Sequence, residues 1–202
     1  MPKQTYFNLP EQKRQIIEQA ALDEFSVHGF DASNMNRIVE QSRIAKGSFY
    51  QYFADKKDLY FHLINELFKK KMAYIDPVLK NLSQFSLSQN LERLLWQGLR
   101  FSESDAKLHR LGEDFASMQR PFANEFMAKY RPDAIDVYLA LLNSAQENGE
   151  LRGDMDVSLT AFFISSLITQ STILLLNQCD TGQRDMAIHQ LLSFIEHAII
   201  KK

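Results

Sequence analysis

Residues 29–60 read GFDASNMNRIVEQSRIAKGSFYQYFADKKDLY, and the order of residue types in this stretch decides the fold. Gly29 can adopt the left-handed conformation that ends a helix, and Ser33 or Asn34 can cap the next one. After a tight connection, a third helix is predicted over residues 46–52. Two short helices joined by a tight turn are typical of a helix-turn-helix.

The flanking segments continue the helical pattern on both sides. Upstream, apolar residues at helical spacing predict a helix over residues 10–28, with Asn8 as its cap, and downstream Asp55 predicts the start of a long helix that reaches the Pro77 region. Pro132 separates two later helices, because a proline inside a helix loses a hydrogen bond and clashes with the preceding turn. The later helices are predicted over residues 87–103, 105–118, 121–130, 133–148, 157–177 and 183–200. The predicted fold class is therefore all-α, with nine to ten helices.

Composition agrees with an ordered helical protein. Hydrophobic residues make up 45% and charged residues 24% of the chain, with only 7 Gly and 5 Pro. The net charge is −2, but residues 1–71 carry 11 Lys and Arg against 9 Asp and Glu, whereas residues 72–202 carry 12 against 16. This asymmetry permits a basic face on the first segment without establishing one.

The cysteine count and the start of the chain bear on its compartment. Cys179 is the single cysteine, so it cannot form an intramolecular disulfide, and it argues against a thiolate metal site. No basic start followed by an apolar run opens the chain. The uncharged stretch between Asp156 and Asp180 contains too many Ser, Thr and Gln residues for a lone membrane span. We expect a cytoplasmic protein without a membrane segment.

The stretch KGSFYQYFADKKDL, together with IIEQAALDEF before HGF, closely resembles the helix-turn-helix signature of the TetR family over roughly residues 12–67. The resemblance implies an N-terminal three-helix DNA-binding domain over residues 1–54 and a helical ligand-binding and dimerisation domain over residues 55–202. Two positions depart from the family pattern: Arg43 stands where the family usually has glycine, and Ala45 replaces a common capping serine or threonine. Arg43 must therefore adopt a positive φ, or the turn must take another geometry.

A recognition helix must combine a small surface for close approach with donors that reach base edges. Gly47 supplies the close approach. Lys46 can reach guanine O6 or N7, Gln51 can pair with adenine, and Asn36 can reach an adjacent base from the preceding helix. These four residues are the candidate base contacts.

A second set of residues looks like those with which the family contacts phosphates and so sets its register on DNA. Its members are Ser33, Asn34, Ser48, Tyr50, Tyr52 and Lys56. Arg43 can add a phosphate contact through its charge. The alternative interpretation is that Tyr50 and Tyr52 are half-buried aromatic residues and that Lys56 belongs to a solvated helix start.

The last two predicted helices resemble in position the pair through which the family dimerises. Their apolar content exceeds what one face inside a protomer normally needs. The candidate interface residues are Phe163, Leu167, Leu174, Leu191, Ile195 and Ile199. The alternative interpretation is an ordinary core.

The family places its effector cavity inside the helical body, beneath the long helix that follows Asp55. The candidate lining residues are mainly apolar: Trp96, Phe101, His109, Met118, Phe122, Phe126, Phe162 and Gln170. These side chains suggest an apolar or aromatic effector, although core packing is the alternative for each residue taken singly. No cofactor or metal is expected, because the histidines form no ligand pattern with cysteine or carboxylates.

The patterns together predict a ligand-responsive transcriptional regulator, a repressor in the family's usual mode, that binds a palindromic double-stranded DNA operator as a homodimer. No nucleotide-binding glycine loop, nucleophile elbow or HExxH motif occurs, so no enzyme activity is expected. Two alternatives stay open. One is a transcriptional activator of the same family, and the other is a helical dimer that binds small molecules or a protein while Arg43 and Ala45 have removed specific DNA binding.

Overall fold

The computed structural model describes residues 2–130 and 134–201, and within them the regular structure is helical apart from one isolated antiparallel bridge between Leu151 and Ile200. A 3₁₀ turn spans Leu82–Gln84. The α-helices in this described part are α1 (Gln4–Phe7), α2 (Glu11–Ala32), α3 (Met35–Gln41), α4 (Lys46–Tyr52), α5 (Lys56–Leu79), α6 (Leu87–Ser104), α7 (Ala106–Ser117), α8 (Arg120–Tyr130), α9 (Ala134–Glu147), α10 (Val157–Gln178) and α11 (Thr181–Ile199). The predicted all-α class is confirmed.

Most helix ends lie close to their predicted positions, with two differences near the amino terminus. The short helix α1 was not predicted, because four residues are too few to show a helical period. Asn8 as the cap of the next helix is wrong: Asn8 ends α1, and Pro10 is the residue that precedes α2. Further along, α5 continues two residues beyond Pro77, and the break predicted at Pro132 lies outside the described residues.

Acidic side chains cap the amino-terminal ends of several helices. The Asp55 carboxylate accepts the Asp58 backbone N–H at 2.8 Å, so its predicted role as an N-cap is confirmed. Asp105, Asp156 and Asp180 cap α7, α10 and α11 in the same way. Each carboxylate satisfies backbone donors that the first helical turn leaves without partners.

The chain packs into two compact units. The first contains residues 1–70 and 102–131, and the second contains residues 71–101 and 132–202. This grouping reflects packing alone. The functional boundary expected between residues 54 and 55 therefore stays a prediction.

In the first unit, α2 packs against α7 and α3. The apolar stripe expected on α2 is buried, and its members are Ile17, Ala20, Ala21 and Phe25. The Phe25 ring meets Tyr60 of α5 edge-on, with ring centroids 5.0 Å apart, and Phe30 packs on Phe122 of α8 at 4.8 Å. Aromatic packing therefore joins α2 to α5 and α8 within this unit.

The second unit has a largely aliphatic core to which α5, α6, α9, α10 and α11 all contribute. Helix α9 packs along α10. Glu150, after α9, accepts the Leu87 backbone N–H through its carboxylate at 2.7 Å and the Lys201 N–H through its carbonyl at 2.9 Å. One glutamate thereby links the start of α6 to the end of the chain.

Candidate nucleic-acid interface

Helix α4 buries one face and leaves the other open to solvent. Phe49 and Tyr52 are buried, whereas Lys46, Gly47 and Gln51 are exposed. Lysine can donate to guanine O6 and N7, and glutamine can pair with adenine N6 and N7 in a major groove. The exposed face of α4 thus presents the residue types that base recognition requires.

Gly47 lies within α4, where glycine lowers helix stability by about 1 kcal/mol relative to alanine. A Cβ built on Gly47 meets no heavy atom within 4 Å in the described part of the chain. No contact inside the protomer therefore explains why a side chain is missing. The open space allows another molecule to approach the α4 backbone closely.

The turn between α3 and α4 forms with Arg43 at the position where the family pattern has glycine. Arg43 has φ +52°, the only positive φ of a non-glycine residue among residues 2–130 and 134–201. This conformation is uncommon for residues with a side chain. The Arg43 N–H donates to the Glu40 carbonyl at 3.0 Å, and the Ser42 hydroxyl donates to the Ile38 carbonyl at 2.5 Å. The first of the two geometries predicted for Arg43 is thus confirmed, and the residue is exposed.

The start of α3 is held by a buried carboxylate on α2. Glu24, which is 4% exposed, accepts the Asn34 backbone N–H at 2.7 Å and hydrogen bonds from the Arg37 guanidinium at 2.5 to 3.0 Å. The Arg37 hydrogen bonds lower the pKa of Glu24 despite the opposing effect of burial, and the Asn34 N–H adds to the lowering. The Asn34 side chain accepts the Asn36 N–H at 2.8 Å, which confirms the predicted cap. Asn36 itself is exposed on the first turn of α3.

The carboxyl end of α4 is covered by α1. Lys3 donates its backbone N–H to the Tyr52 carbonyl at 2.8 Å and its ammonium to the Tyr50 carbonyl at 2.7 Å. The Thr5 hydroxyl donates to the Gln51 carbonyl. These bonds satisfy carbonyls that lack partners within the helix, and a positive charge at this end also suits the helix dipole. Sequence analysis missed this support, because donor and acceptor lie more than forty residues apart.

A polar cluster of Tyr6, Glu18 and His62 ties α1 to α2 and α5. The Tyr6 hydroxyl donates to Glu18 Oε1 at 2.6 Å, and His62 Nε2 lies 2.8 Å from the same oxygen. Burial raises the pKa of Tyr6, and the neighbouring Glu18 raises it further. Burial also acts to raise the pKa of Glu18, but the hydrogen bonds from His62 and Tyr6 outweigh it and the net pKa is lowered. The cluster therefore anchors the helix that covers the end of α4.

The residues predicted to contact phosphates fall into two groups. The accessible ones are Asn34, Arg43, Ser48 and Tyr50, of which Ser48 is half-buried. The other three have contacts inside the protein. Tyr52 is buried, while the Ser33 hydroxyl and the Lys56 ammonium each donate to the Phe30 carbonyl at 2.6 Å. Contact of either group with DNA stays a prediction.

Comparison with known proteins adds to this geometry. Residues 17–63 match the family profile described as "Bacterial regulatory proteins, tetR family". The HTH-type transcriptional regulator LmrA of Bacillus subtilis (strain 168) is 29% identical over 164 residues, which cover 73% of this chain and 87% of LmrA. A crystal structure of a TetR family transcriptional regulator from Chloroflexus aurantiacus J-10-fl is 28% identical with a TM-score of 0.70, and the match covers 100% of both chains. The profile match, the relative and the structural neighbour together support a TetR-family regulator.

The TetR fold extends over the whole chain as well as over the helix-turn-helix. The crystal structure of the transcriptional regulator FadR from Bacillus subtilis, in complex with stearoyl-CoA, has a TM-score of 0.71 and 17% identity. That match covers 90% of this chain and 96% of FadR. Sequence identity this low shows a shared fold only. The fold and the profile match together identify α3 and α4 as the helix-turn-helix of a TetR-family transcriptional regulator.

The residues predicted to line the effector cavity of this TetR-family protein are divided between the two units. In the first unit, Phe122 and Phe126 both contact Phe61, and His109 and Met118 are half-buried on and after α7. The remainder lie in the second unit: Phe101 is buried, Trp96 is half-buried, and Phe162 and Gln170 are exposed. Ring contacts with Phe61 bring Phe122 and Phe126 into one cluster in the first unit. The whole set stays a prediction as a cavity lining.

The residues predicted for the TetR-family dimer interface differ in exposure. Phe163 and Leu174 are exposed, Leu167 and Leu191 are half-buried, and Ile195 and Ile199 belong to the protomer's own core. Sequence analysis could not separate the two sides of α11, because apolar residues lie on both. Other large exposed apolar residues of α10 and α11 were missed as interface candidates, namely Leu159, Phe162, Met186 and Phe194.

Two other kinds of feature are absent from the described residues. None of the helices that the structure describes has the length and apolarity needed to cross a bilayer. Among residues 2–130 and 134–201, no group of three His, Cys, Asp or Glu is arranged to hold a metal ion. Cys179 is a half-buried free thiol.

Proposed function

We propose that this TetR-family regulator binds a palindromic DNA operator as a homodimer and represses transcription until a small apolar or aromatic effector releases it. Transcriptional regulation itself is supported by the profile match and by the HTH-type regulators among the relatives. The observation that carries the proposal is the exposed face of α4, on which Gly47 leaves an open approach beside the exposed Lys46. The protein acts in the cytoplasm, where the operator is accessible.

Each protomer inserts α4 into a major groove. Lys46 and Gln51 read base edges from α4, and Asn36 reads an adjacent base from α3. Arg43 and Tyr50, both exposed, contact phosphates and set the register of the helix on the duplex. Two such heads read successive major grooves when their recognition helices are about 34–36 Å apart.

The homodimer forms through the exposed apolar residues of α10 and α11. Phe163 and Phe162 lie side by side, with ring centroids 6.0 Å apart, and both are more than half exposed. Leu174 continues the exposed apolar residues along α10, and Phe194 adds one from α11. Exposed apolar residues concentrated on two helices favour association, since burying them removes apolar surface from water.

Selection of binding sites from random double-stranded DNA tests the DNA-binding part. The full-length wild-type chain is expected to enrich a palindrome whose half-sites are about one helical turn, or a multiple of it, apart. Lys46→Ala is expected to relax the base preference within each half-site. Lys13→Ala is the matched control, because Lys13 is an exposed lysine of α2 and is not part of the recognition helix. Enrichment of no sequence by the wild type, or equal behaviour of the two variants, would contradict the proposal.

Release by an effector is tested on the selected operator. Fluorescence anisotropy of labelled operator is followed while small aromatic compounds, and separately stearoyl-CoA, are added. Stearoyl-CoA is included because the FadR crystal structure contains it; its effect here is decided by the measurement. A compound that releases DNA must also raise the melting temperature of the free protein, because it binds the folded state. Compounds that do neither argue against an apolar or aromatic effector.

A helical dimer without specific DNA binding is the second candidate, and two features of the turn favour it. Arg43 holds a positive φ without glycine, and Ala45 precedes α4 without a side-chain cap. Both features weaken the start of a recognition helix. Binding that depends on salt but is equal for all sequences in the selection supports this candidate over the operator-binding protein.

A further inference from the structure

The backbone of Phe30 is held by side chains from two other helices. Its N–H donates to Asp114 Oδ2 of α7 at 3.0 Å. Its carbonyl accepts from the Lys56 ammonium at the start of α5 and from the Ser33 hydroxyl, each at 2.6 Å. Phe30 directly follows Gly29, whose φ of +66° bends the chain between the main body of α2 and the helix-turn-helix. The bonds therefore meet at the bend from which α3 and α4 continue.

The Lys56 ammonium makes several contacts with this bend. Its ammonium lies 3.3 Å from the Asp31 carbonyl, 3.2 Å from the Ser33 carbonyl and 4.7 Å from the centre of the Phe30 ring. An ammonium has three donors, and these carbonyls together with the Phe30 carbonyl can use all of them. Lys56 could bind a phosphate only if its ammonium broke hydrogen bonds to the carbonyls at the end of α2.

Asp114 holds the other side of the same bend. Its Oδ2 accepts from the Tyr60 hydroxyl of α5 at 2.7 Å as well as from the Phe30 N–H. Burial raises the pKa of Tyr60, and the hydrogen bond to Asp114 raises it further. A Cβ built on Gly29 would lie 2.6 Å from Asp114 Oδ1, so the carboxylate fits directly against the glycine. The close approach, together with a φ of +66° and a ψ of 178°, favours glycine at position 29.

We propose that Lys56 and Asp114 are positioning residues for DNA reading: together they fix the backbone at Phe30, and Lys56 makes no phosphate contact. The inference rests on the proposed function and replaces the phosphate role predicted for Lys56. Through Asp114, the position of α7 is transmitted to the bend at Gly29 and from there to α3 and α4. Helix α7 thereby controls operator affinity without touching DNA.

Salt dependence separates a positioning lysine from a phosphate ligand. Each phosphate contact contributes about −0.9 to the slope of log K against log salt concentration, because binding releases condensed counterions. Loss of a phosphate ligand reduces this slope, whereas loss of a positioning residue lowers affinity at every salt concentration and leaves the slope unchanged.

Replacement of Asp114 gives an independent test, because the two possible roles of this residue predict opposite changes in DNA affinity. Replacing an acidic residue by a neutral one makes a protein less negative, which by charge alone strengthens its attraction to DNA. If Asp114 positions the bend, Asp114→Ala must instead weaken binding. A merely electrostatic role therefore predicts the opposite direction.

The experiment measures anisotropy of the selected operator with full-length protein over a series of salt concentrations. Lys56→Met is expected to lower affinity about tenfold with the wild-type slope, and Asp114→Ala to lower it by a similar factor. Arg43→Met is the positive control for a phosphate ligand and is expected to reduce the slope by about 0.9. Lys57→Met is the matched control: Lys57 adjoins Lys56 but pairs with Glu125 at 2.8 Å, and its loss is expected to change neither affinity nor slope.

Two outcomes overturn the inference: a slope reduced by about 0.9 in Lys56→Met, or tighter operator binding by Asp114→Ala. Tyr60→Phe provides a milder variant should either chain fail to fold, because it removes one bond to Asp114 and leaves the Phe30 N–H in place. Its expected loss of affinity is smaller but again without a change of slope, and unchanged affinity counts against the inference. Failure of the wild type to bind any operator refutes the proposed function itself, which keeps the two failures distinct.

Discussion

The helix-turn-helix and the pair α10–α11 are held by different kinds of interaction. Hydrogen bonds and ion pairs hold α3 and α4. For example, the Glu24 carboxylate accepts hydrogen bonds from Arg37 and from the Asn34 backbone N–H. In α10 and α11, apolar side chains either enter an aliphatic core or remain exposed. Directional bonds demand particular residue types at particular positions, whereas burial demands only apolarity. The first region can therefore be recognised residue by residue from sequence, and the second only as a class of surface.

The largest effect is expected from placing a charge on the exposed apolar face of α10. Phe163 is 59% exposed in the protomer, so Phe163→Glu costs little within one protomer but places a charge in the proposed dimer interface. Light scattering is expected to show a monomer at micromolar concentration. Operator affinity is expected to fall about 100-fold or more, because the two heads no longer bind as one linked unit.

Val27→Glu is the matched control for this experiment. Val27 is 66% exposed on α2, so the variant makes a similar change of polarity outside α10 and α11. It is expected to leave the oligomeric state unchanged. A Phe163→Glu chain that remains dimeric would show that the interface lies elsewhere.

The pH dependence of stability tests the polar contacts that hold α3. The lowered pKa of Glu24 means that its ionised form is favoured by folding, so this contribution is present at neutral pH and is lost as pH falls through the lowered pKa, below about pH 4.3. Glu24→Gln is expected to be less stable than the wild type at pH 7 and to lose less stability on acidification. Chemical denaturation between pH 7 and pH 2 measures both effects.

Glu40→Gln gives the comparison for Glu24→Gln, because Glu40 is exposed on α3. Its stability at pH 7 is expected to stay within about 0.5 kcal/mol of the wild type. Equal pH profiles for wild type and Glu24→Gln would mean that the buried carboxylate does not hold α3 in the way described.

A smaller effect is expected where α1 covers the end of α4. Lys3→Met removes the ammonium bond to the Tyr50 carbonyl but keeps the backbone bond to Tyr52. The free energy of unfolding is expected to fall by about 1 kcal/mol or less, since this part of the molecule is exposed. Hydrogen exchange at residues 50–53 should become faster, while exchange in α10 stays the same. An unchanged rate at residues 50–53 would contradict the role given to α1.

Sequence reasoning succeeded where the structural signal was local. The bounds of α4 follow from a short run of residues, and the caps at Asn34 and Asp55 accept backbone groups only two or three residues away. The positive φ of Arg43 was one of two predicted geometries, because Arg43 stands where the family pattern has glycine. Such features depend on neighbouring residues and can be read without knowing the rest of the fold.

The features that sequence reasoning missed depend on residues far apart in the chain. The carbonyls that the Lys56 ammonium contacts lie more than twenty residues upstream, and Lys3 reaches a carbonyl 47 residues away. The side of α11 that faces the core could not be identified either. Ile195 was expected at an interface and is buried in the protomer core, while the neighbouring Phe194 is exposed. Helical periodicity alone does not say which of two apolar sides meets a partner.

Substitution of Gly47 tests most directly whether α4 is a surface built for close approach to DNA. Because a Cβ at this position meets no described atom within 4 Å, Gly47→Ala is expected to raise the free energy of unfolding by about 0.5–1 kcal/mol. The same methyl group is expected to weaken binding to the selected operator, since it occupies the space through which the duplex approaches. Increased stability with weaker binding supports the account, and increased stability with unchanged or tighter binding contradicts it.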